Sequence, residues 1–215
     1  MLVVGARGFA KELLEIFHIT NQTDNLVFYD DINPSLESLL FDSFPILNHI
    51  DQASKYFKEV DSRYCLGVGN PLLRRELSDK MAKVGGILSS VLSPQAIVGS
   101  YNVKVGQGTN ILPGAIISND VSIGVGCIVY YNAVITHDCI IGDFVEISPS
   151  ANLLGRCDIG SFSHIAAGST ILPNIKIGKN VLVAAGAVVS ADVPDNCMVA
   201  GLPAVIKKIR NPLLF

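Results

Sequence analysis

Val129-Tyr130-Tyr131-Asn132-Ala133-Val134-Ile135-Thr136-His137-Asp138-Cys139-Ile140-Ile141-Gly142-Asp143-Phe144-Val145-Glu146-Ile147 carries an aliphatic residue at every sixth position: Val129, Ile135, Ile141 and Ile147. Extended both ways, the same step runs unbroken from Val105 and Ile111 to Val183 and Val189, fifteen residues in all. Four places after each stands a small or β-branched residue, from Thr109 and Ala115 to Ala187 and Val193. A period of six matches neither the 3.6 of a helix nor the alternation of an ordinary strand. It matches a solenoid with three short sides per turn, each pointing one aliphatic wedge inward. Gly106, Gly124, Gly142, Gly160 and Gly178 recur at intervals of eighteen, so three hexads complete a turn. Fifteen hexads make five coils which, at the ~4.8 Å spacing of neighbouring strands, form a prism roughly 24 Å tall.

The same pattern accounts for three of the five cysteines. Cys127, Cys139 and Cys157 occupy the small interior position, which is a packing role. With Cys65 and Cys197 they form no CxxC or histidine-spaced cluster, and their odd number argues against a disulfide framework. Hydrophobic residues make up 49% of the chain and charged residues 16%, a balance that raises the question of a membrane. No apolar run approaches the ~20 residues of a spanning helix, and Met1-Leu2-Val3-Val4-Gly5 has neither the basic region nor the cleavage site of a secretory signal. The expectation is a soluble, cytoplasmic protein without membrane insertion. A net charge of −3 with scattered basic residues leaves no footprint for nucleic acid.

Residues 1–88 follow a different grammar. Leu2 to Val4 reads as a short strand, Gly5-Ala6-Arg7-Gly8-Phe9 as a turn, and Ala10 to Ile19 as an amphipathic helix. Leu26 to Tyr29 reads as a second strand ending in Asp30-Asp31, followed by a loop and a short helix over 49–58. Tyr64 to Val68 reads as a third strand. Asn70-Pro71 is an N-cap followed by proline at the first helical position, opening a helix to about Val84. Alternating strands and helices imply a small Rossmann-like parallel α/β domain, residues 1–88, ahead of a β-helix domain, residues 89–215. Ligands of such sheets bind beyond the carboxyl ends of the strands. There the turn at residues 5–9, Asp30, Asp31, Gly69 and Asn70 converge. Glycines admit a diphosphate to the backbone and a helix N-terminus favours its charge. The aspartates can accept from ribose hydroxyls or a base N–H. A plain βα turn would show the same glycines. Only two glycines of the GxGxxG fingerprint are in place, which favours a nucleotide-sugar over a dinucleotide.

Of four histidines, His18 and His49 fall in or beside helices and read as structural or solvated. His137 follows the wedge Ile135 by two places and so projects outward, with Asp138 beside it. An imidazole can take a proton from an amine or hydroxyl near neutrality, and a carboxylate can fix its tautomer. One coil above His137 stands Gly155, whose N–H is a candidate donor to a carbonyl oxygen as charge develops on it; one coil below stands Asn119. Glu146 and His164 are eighteen apart, so they stack on neighbouring coils, half a coil from His137 on the far side of the prism. They can share a site with His137 only if prisms pack side by side. Ala167 and Ala185 form an outward column of small residues along which a slender ligand could reach the backbone. A zinc hydrolase on such a prism needs three histidine ligands. Only His137 and His164 lie on the coils, out of phase, so no metal is expected.

The hexads resemble those of the hexapeptide acyltransferases, whose prism winds left-handed against the usual crossover preference. Within that superfamily, Val134-Ile135-Thr136-His137-Asp138-Cys139-Ile140-Ile141-Gly142-Asp143 resembles the signature of the sialic acid O-acetyltransferase family, which includes bacterial UDP-4-amino-sugar N-acetyltransferases of glycan synthesis. Gly5-Ala6-Arg7-Gly8-Phe9-Ala10 is similar to its nucleotide turn. Val193-Pro194-Asp195 with Gly201-Leu202-Pro203-Ala204 is similar to its closing coil. The resemblance covers nearly the whole chain. It implies a homotrimer with acetyl-CoA between prisms, His137 as general base and Asp138 as its support. It further implies cofactor contacts at Glu146, Gly155, Ala167 and Ala185, and UDP-sugar contacts at Arg7, Gly8, Phe9, Asp30, Asp31 and Gly69. Phe9 and Glu146 stand where some N-acetyltransferase members carry histidine, and His164 is placed to substitute for the second. The leading expectation is direct acetyl transfer from acetyl-CoA to the amine of a UDP-linked amino sugar. O-acetylation of a sialic acid or another glycan is the rival reaction, and a non-catalytic nucleotide-sugar-binding assembly subunit the rival class. The first strand is unusually short, which leaves room for a start codon upstream.

Overall fold

In the computed structural model, residues 1–33 and 38–214 are described, and the chain divides into two compact units, Met1–Val91 and Leu92–Phe215. The first unit contains β1 (Leu2–Val4), α1 (Gly8–Ile19), β2 (Val27–Tyr29), β3 (Leu39–Leu40), β4 (Phe44–Leu47), α2 (Ile50–Glu59), β5 (Arg63–Leu66), α3 (Pro71–Lys83) and β6 (Ile87–Leu88). Its sheet has the order β3-β4-β2-β1-β5-β6, parallel except for the β3–β4 pair. β1 and β2 are buried throughout, which is why they read as continuous apolar runs rather than alternations. The caps follow the sequence. Asn70 Oδ1 accepts from Leu73 N at 3.0 Å with Pro71 behind it. His49 caps α2 in a box with Gln52, whose Oε1 accepts from His49 N at 3.1 Å.

The stretch after β2 differs from the expected loop. It contains β3 and β4, and β4 pairs in parallel with β2, Phe28 beside Ile46 and Tyr29 beside Leu47. Pro45 inside Phe44-Pro45-Ile46-Leu47 argues against a strand by sequence, yet Ile46 and Leu47 pair with β2 while Pro45 stands opposite Leu39 of β3. Phe41 and Asp42 both adopt positive φ, at 51° and 52°. Residues 34–37 of that expected loop lie outside the described residues.

The second unit is a left-handed parallel β-helix. Two-residue strands stack into three parallel sheets whose partners lie eighteen residues apart, for example Ile117 with Ile135, Ile135 with Leu153 and Ile147 with Ile165. Face one carries Asn110–Ile111, Ile128–Val129, Glu146–Ile147, His164–Ile165 and Leu182–Val183. Face two carries Ile116–Ile117, Val134–Ile135, Asn152–Leu153, Thr170–Ile171 and Val188–Val189. Face three carries Lys104–Val105, Ser122–Ile123, Ile140–Ile141, Asp158–Ile159 and Lys176–Ile177. The second residue of each strand is the wedge, and every wedge from Ile111 to Val189 is buried. The small interior positions are buried as well, except Ile175, which is partly buried. Where one is polar it finds a backbone carbonyl: Thr109 Oγ1 donates to Gly124 O at 2.8 Å and Ser163 Oγ to Gly178 O at 2.7 Å on the neighbouring coil, and Ser169 Oγ to Ala166 O at 2.7 Å within its own. All five cysteines are free and buried.

A further periodicity governs the corners. From Asn102 to Gly186, every sixth residue, fifteen in succession, has φ between 53° and 74°. Eleven of these are Gly, Asn or Asp, the types that tolerate the left-handed region. The exceptions are Phe144, Ser150, Arg156 and Phe162, and the two phenylalanine rings stack with centroids 5.4 Å apart. Ahead of the unbroken series, Ile97–Val98 joins face two against Ile116–Ile117 with an offset of nineteen. The extra residue hides it from a six-residue count. At the other end, Cys197–Gly201 and Ala204–Ile209 form an antiparallel hairpin that closes face one.

The glycine column has a steric cause. A Cβ on Gly160 would lie 2.5 Å from Gly178 C, and one on Gly106 2.4 Å from Gly124 C, so the coils cannot close there over a side chain. Gly160→Ala is predicted to destabilise the fold by about 1–3 kcal/mol. Gly168→Asn, at a left-handed corner (φ 66°) with open space around it, should change stability by less than about 1 kcal/mol. Chemical-denaturation midpoints at fixed protein concentration check both.

Candidate functional site

His137 and Asp138 form the corner between faces two and three. Ile135 anchors the strand in the core, and Asp138 takes the left-handed position at φ 59°, which turns the chain and throws the imidazole outward. The His137 side chain is 54% exposed. Its Nδ1 lies 2.6 Å from Asp138 Oδ2. With Nδ1–H donating to that carboxylate, Nε2 is left as the acceptor. One residue thus serves two needs, a turn that accepts positive φ and a carboxylate that orients the ring.

Gly155 stacks against the imidazole. A Cβ there would come within 2.6 Å of His137 Cε1 and 2.8 Å of Nε2, so only glycine leaves the ring this position. The Gly155 N–H takes no part in the inter-coil ladder, whereas its carbonyl accepts from Asn174 N at 2.9 Å. The Asn119 carbonyl, one coil below, accepts from Asp138 N at 3.3 Å.

On face one, Glu146 and His164 pair in register, with His164 Nε2 3.4 Å from Glu146 Oε1. Ser148 joins them: its Oγ is 2.8 Å from His164 Nε2 and donates to Glu146 Oε1 at 3.2 Å. Sequence reasoning missed Ser148. It lies sixteen residues from His164, off the eighteen-residue register, and reaches it diagonally from the next outward position after Glu146. Glu146 and Ser148 are buried, so the imidazole is the member of the cluster most open to a ligand. Ala167 and Ala185 are exposed at the next corner, where Gly186 N donates to Ala167 O at 2.9 Å. His137 stands nine residues from Glu146, opposite it across the prism, so one prism does not bring these groups together.

In the first unit a small cleft of about 50 Å³ opens at the carboxyl ends of the strands, lined by Gly5, Tyr29, Asp30, Asp31, Leu73 and Leu77 among others. Gly5 has φ 114°, and a Cβ on it would lie 2.7 Å from Gly67 O, so β1 and β5 leave room for glycine alone. Arg7 and Gly8 are exposed at the start of α1, while the Phe9 ring is buried, which restricts Phe9 to its backbone as a ligand contact. Asn70 Oδ1 is engaged in capping α3. Gly69 is held from behind: the fully buried Arg74 donates from Nη1 to its carbonyl.

The two aspartates have separate tasks. Both Asp30 oxygens accept from Asn33 Nδ2, at 2.8 and 2.9 Å, and Oδ1 also accepts from Asn33 N, which shapes the loop. Asp31 instead pairs through Oδ2 with Lys80 Nζ, whose ammonium lies 5.3 Å from the Tyr29 ring centroid. Burial opposes the Asp31 charge, but the Lys80 ammonium outweighs it and holds the carboxyl below its usual range. Burial likewise opposes the Lys80 charge, and the bond to Asp31 raises its pKa in spite of it. Sequence reasoning missed Lys80, 49 residues from its partner. Among the described residues no group of three His, Cys, Asp or Glu side chains is placed to hold a metal, and no helix is long and apolar enough to cross a membrane.

Comparison with known proteins adds the following. Residues 1–81 match the PglD N-terminal domain and residues 156–191 the bacterial transferase hexapeptide (six repeats). No curated protein sequence matches the chain. Among solved structures, the chain is similar to the acetyltransferase domain of PglB from Neisseria gonorrhoeae FA1090, with 30% identity, 96% of this chain and 98% of that chain covered, and a TM-score of 0.84. The same domain in complex with acetyl coenzyme A gives 0.87. PerB from Caulobacter crescentus, in complex with CoA and GDP-perosamine, is 28% identical over 96% of each chain, with a TM-score of 0.87. WeeI from Acinetobacter baumannii AYE is 27% identical over 96% of this chain and 98% of its own, with a TM-score of 0.78.

The stacking of His137 on Gly155 yields a direct test. Gly155→Ala should displace the imidazole, because the ring is exposed and can move aside while the backbone φ suits alanine. The expected result is a loss of turnover of about 10–100-fold, with stability changed by less than about 1 kcal/mol. Steady-state kinetics and thermal melts of the variant measure the two effects separately.

Proposed function

The chain belongs to the hexapeptide-repeat sugar acetyltransferases, and within that acetyl-CoA-dependent family we propose that it N-acetylates the amino group of a nucleotide-linked amino sugar. The observation that carries the reading is the His137–Asp138 pair at an exposed corner, 2.6 Å apart, with glycine cleared from above the ring. The nucleotide cleft of the first unit and the GDP-perosamine bound by PerB support a nucleotide-sugar as acceptor. A UDP-linked sugar of glycan biosynthesis is the form the nucleotide turn resembles.

Acetyl-CoA supplies a thioester whose carbonyl the amine attacks, releasing coenzyme A. His137 Nε2 takes the proton that the amine sheds as it bonds to carbon, and Asp138 stabilises the imidazolium through Nδ1–H. No acyl-enzyme is needed, because the acceptor amine is itself the nucleophile. Gly155 N–H, outside the ladder, is the donor to the carbonyl oxygen as charge develops there. The open alanine corner at Ala167 and Ala185 suits the pantetheine arm, since a larger side chain there would obstruct approach to the backbone. Because His137 and the Glu146–Ser148–His164 cluster face away from each other, the complete site lies between prisms of neighbouring protomers, and a homotrimer supplies three such sites.

Release of coenzyme A, measured against UDP- and GDP-linked amino sugars and against sialic acid, tests the acceptor; acetylation of sialic acid alone would contradict the proposal. His137→Ala should lower kcat by about 10²–10⁴-fold with acetyl-CoA affinity unchanged. Asp138→Asn keeps a residue suited to positive φ and removes only the charge, so a loss of about 10-fold is expected with the fold intact.

A further inference from the structure

Four of the fifteen left-handed corners are not Gly, Asn or Asp, and the ring stack of Phe144 on Phe162 accounts for two of them. Arg156 is a third, but its side chain is exposed rather than packed. Its φ is 63°, and asparagine or glycine would turn this corner at lower cost. A disfavoured backbone conformation beside a site already marked for chemistry points to a task for the side chain it carries.

The register sets where that side chain stands. Arg156 follows Gly155, which clears the space over the imidazole, and Arg156 N donates to His137 O at 3.0 Å. Arg156 therefore lies one coil above Asp138. Side chains of this corner column pair off along the prism. Asn102 Nδ2 donates to Asp120 Oδ1 at 2.8 Å, Asp138 Oδ2 holds His137 Nδ1 at 2.6 Å, and Arg156 Nε donates to Asn174 Oδ1 at 2.7 Å. Arg156 thus turns away from the carboxylate below it and is held by a neutral amide. Among the described residues no Asp or Glu forms an ion pair with its guanidinium. Bonding through Nε fixes the guanidinium plane and leaves the two Nη groups for a ligand. A planar fork whose charge is not compensated suits an oxyanion.

The chemistry of the two substrates says which oxyanion comes near this corner. On the proposed reading, the acceptor amine lies at His137 Nε2 and the thioester carbonyl at Gly155 N–H. The phosphates of acetyl-CoA are separated from that thioester by the whole pantetheine arm. In a nucleotide-linked 4-amino sugar, the carbon bearing the first phosphate lies only one pyranose ring across from the amine.

We propose that Arg156 binds the sugar-linked phosphate of the acceptor, so that the prism itself distinguishes a nucleotide-linked amino sugar from the same sugar without its diphosphate. Asn174 holds the guanidinium plane for that contact. The proposal rests on the nucleotide-sugar reading and adds to it a specificity-determining residue outside the α/β unit.

Steady-state kinetics with a nucleotide-linked amino sugar, and with the methyl glycoside of the same amino sugar, separate the phosphate from the rest of the acceptor. Arg156→Asn suits the left-handed corner and removes the charge, and circular dichroism checks that it folds. It should raise KM for the nucleotide-sugar by about 10–100-fold, the loss of a charge-assisted contact. Because a phosphate remote from the reacting atoms binds equally in ground and transition states, kcat and the KM for acetyl-CoA should stay within about 2-fold. Arg156→Lys should recover part of the loss, and Asn174→Gly, which removes only the clamp, should show a smaller one. On the methyl glycoside, kcat/KM should be the same for Arg156→Asn as for the wild type. An unchanged KM for the nucleotide-sugar in Arg156→Asn would overturn the proposal and leave the N-acetylation reading standing. An equal loss on the glycoside, or a raised KM for acetyl-CoA alone, would assign Arg156 to another group and overturn it as well. Wild-type protein that acetylates no nucleotide-linked amino sugar would overturn the reading and the proposal together.

Discussion

Each hexad must satisfy one constraint: two interior side chains small enough to share a narrow core, then one residue that accepts a left-handed backbone so the chain can turn through a corner. Fifteen successive corners from Asn102 to Gly186 meet it. Inter-coil hydrogen bonds such as Ile128 N to Val145 O and Tyr130 N to Ile147 O, both 2.9 Å, lock each coil onto the next. A packed interior and a turn at every sixth residue leave the chain little freedom in where its outward side chains stand. Position in the sequence becomes position in space, at eighteen residues per strand spacing.

That rigidity makes a corner useful for chemistry. Asp138 is there because a corner tolerates aspartate at positive φ, and its carboxylate then falls within 2.6 Å of the adjacent imidazole. Gly155 clears the space above, fixed by the same register. The geometry also carries a restriction. Nine residues separate His137 from Glu146, half a turn, so His137 and the Glu146–Ser148–His164 cluster occupy opposite sides of one prism. On the proposed reading a site that uses both is assembled from two protomers, which gives oligomerisation a chemical role.

The prism was legible because its signal repeats. Wedges from Ile111 to Val189 are each buried where the count of six puts them, and the outward direction of His137 follows from its place after Ile135. Features that break the count were not legible. Ile97–Val98 joins face two at an offset of nineteen, and Ser148 reaches His164 diagonally rather than along a column. In the first unit, β4 was hidden by Pro45, and its pairing with β2 depends on a turn that local propensity does not reveal. The glycine turn and the aspartates could be found as a group, but their division of labour could not. Asn33 commits Asp30, and Lys80 on a distant helix claims Asp31. The corner periodicity of Gly, Asn and Asp was present in the sequence outside the run from Phe144 to Phe162 and would have given those turns directly.

The proposed site is shared between protomers, and subunit complementation tests that most directly. His137→Ala chains and His164→Ala chains, each inactive or nearly so alone, are unfolded together, reassembled, and assayed for coenzyme A release after mixed oligomers are verified by mass. Recovered activity is predicted, because some interfaces then pair an intact His137 with an intact His164. Mixed oligomers that form and remain as inactive as their parents would contradict a shared site.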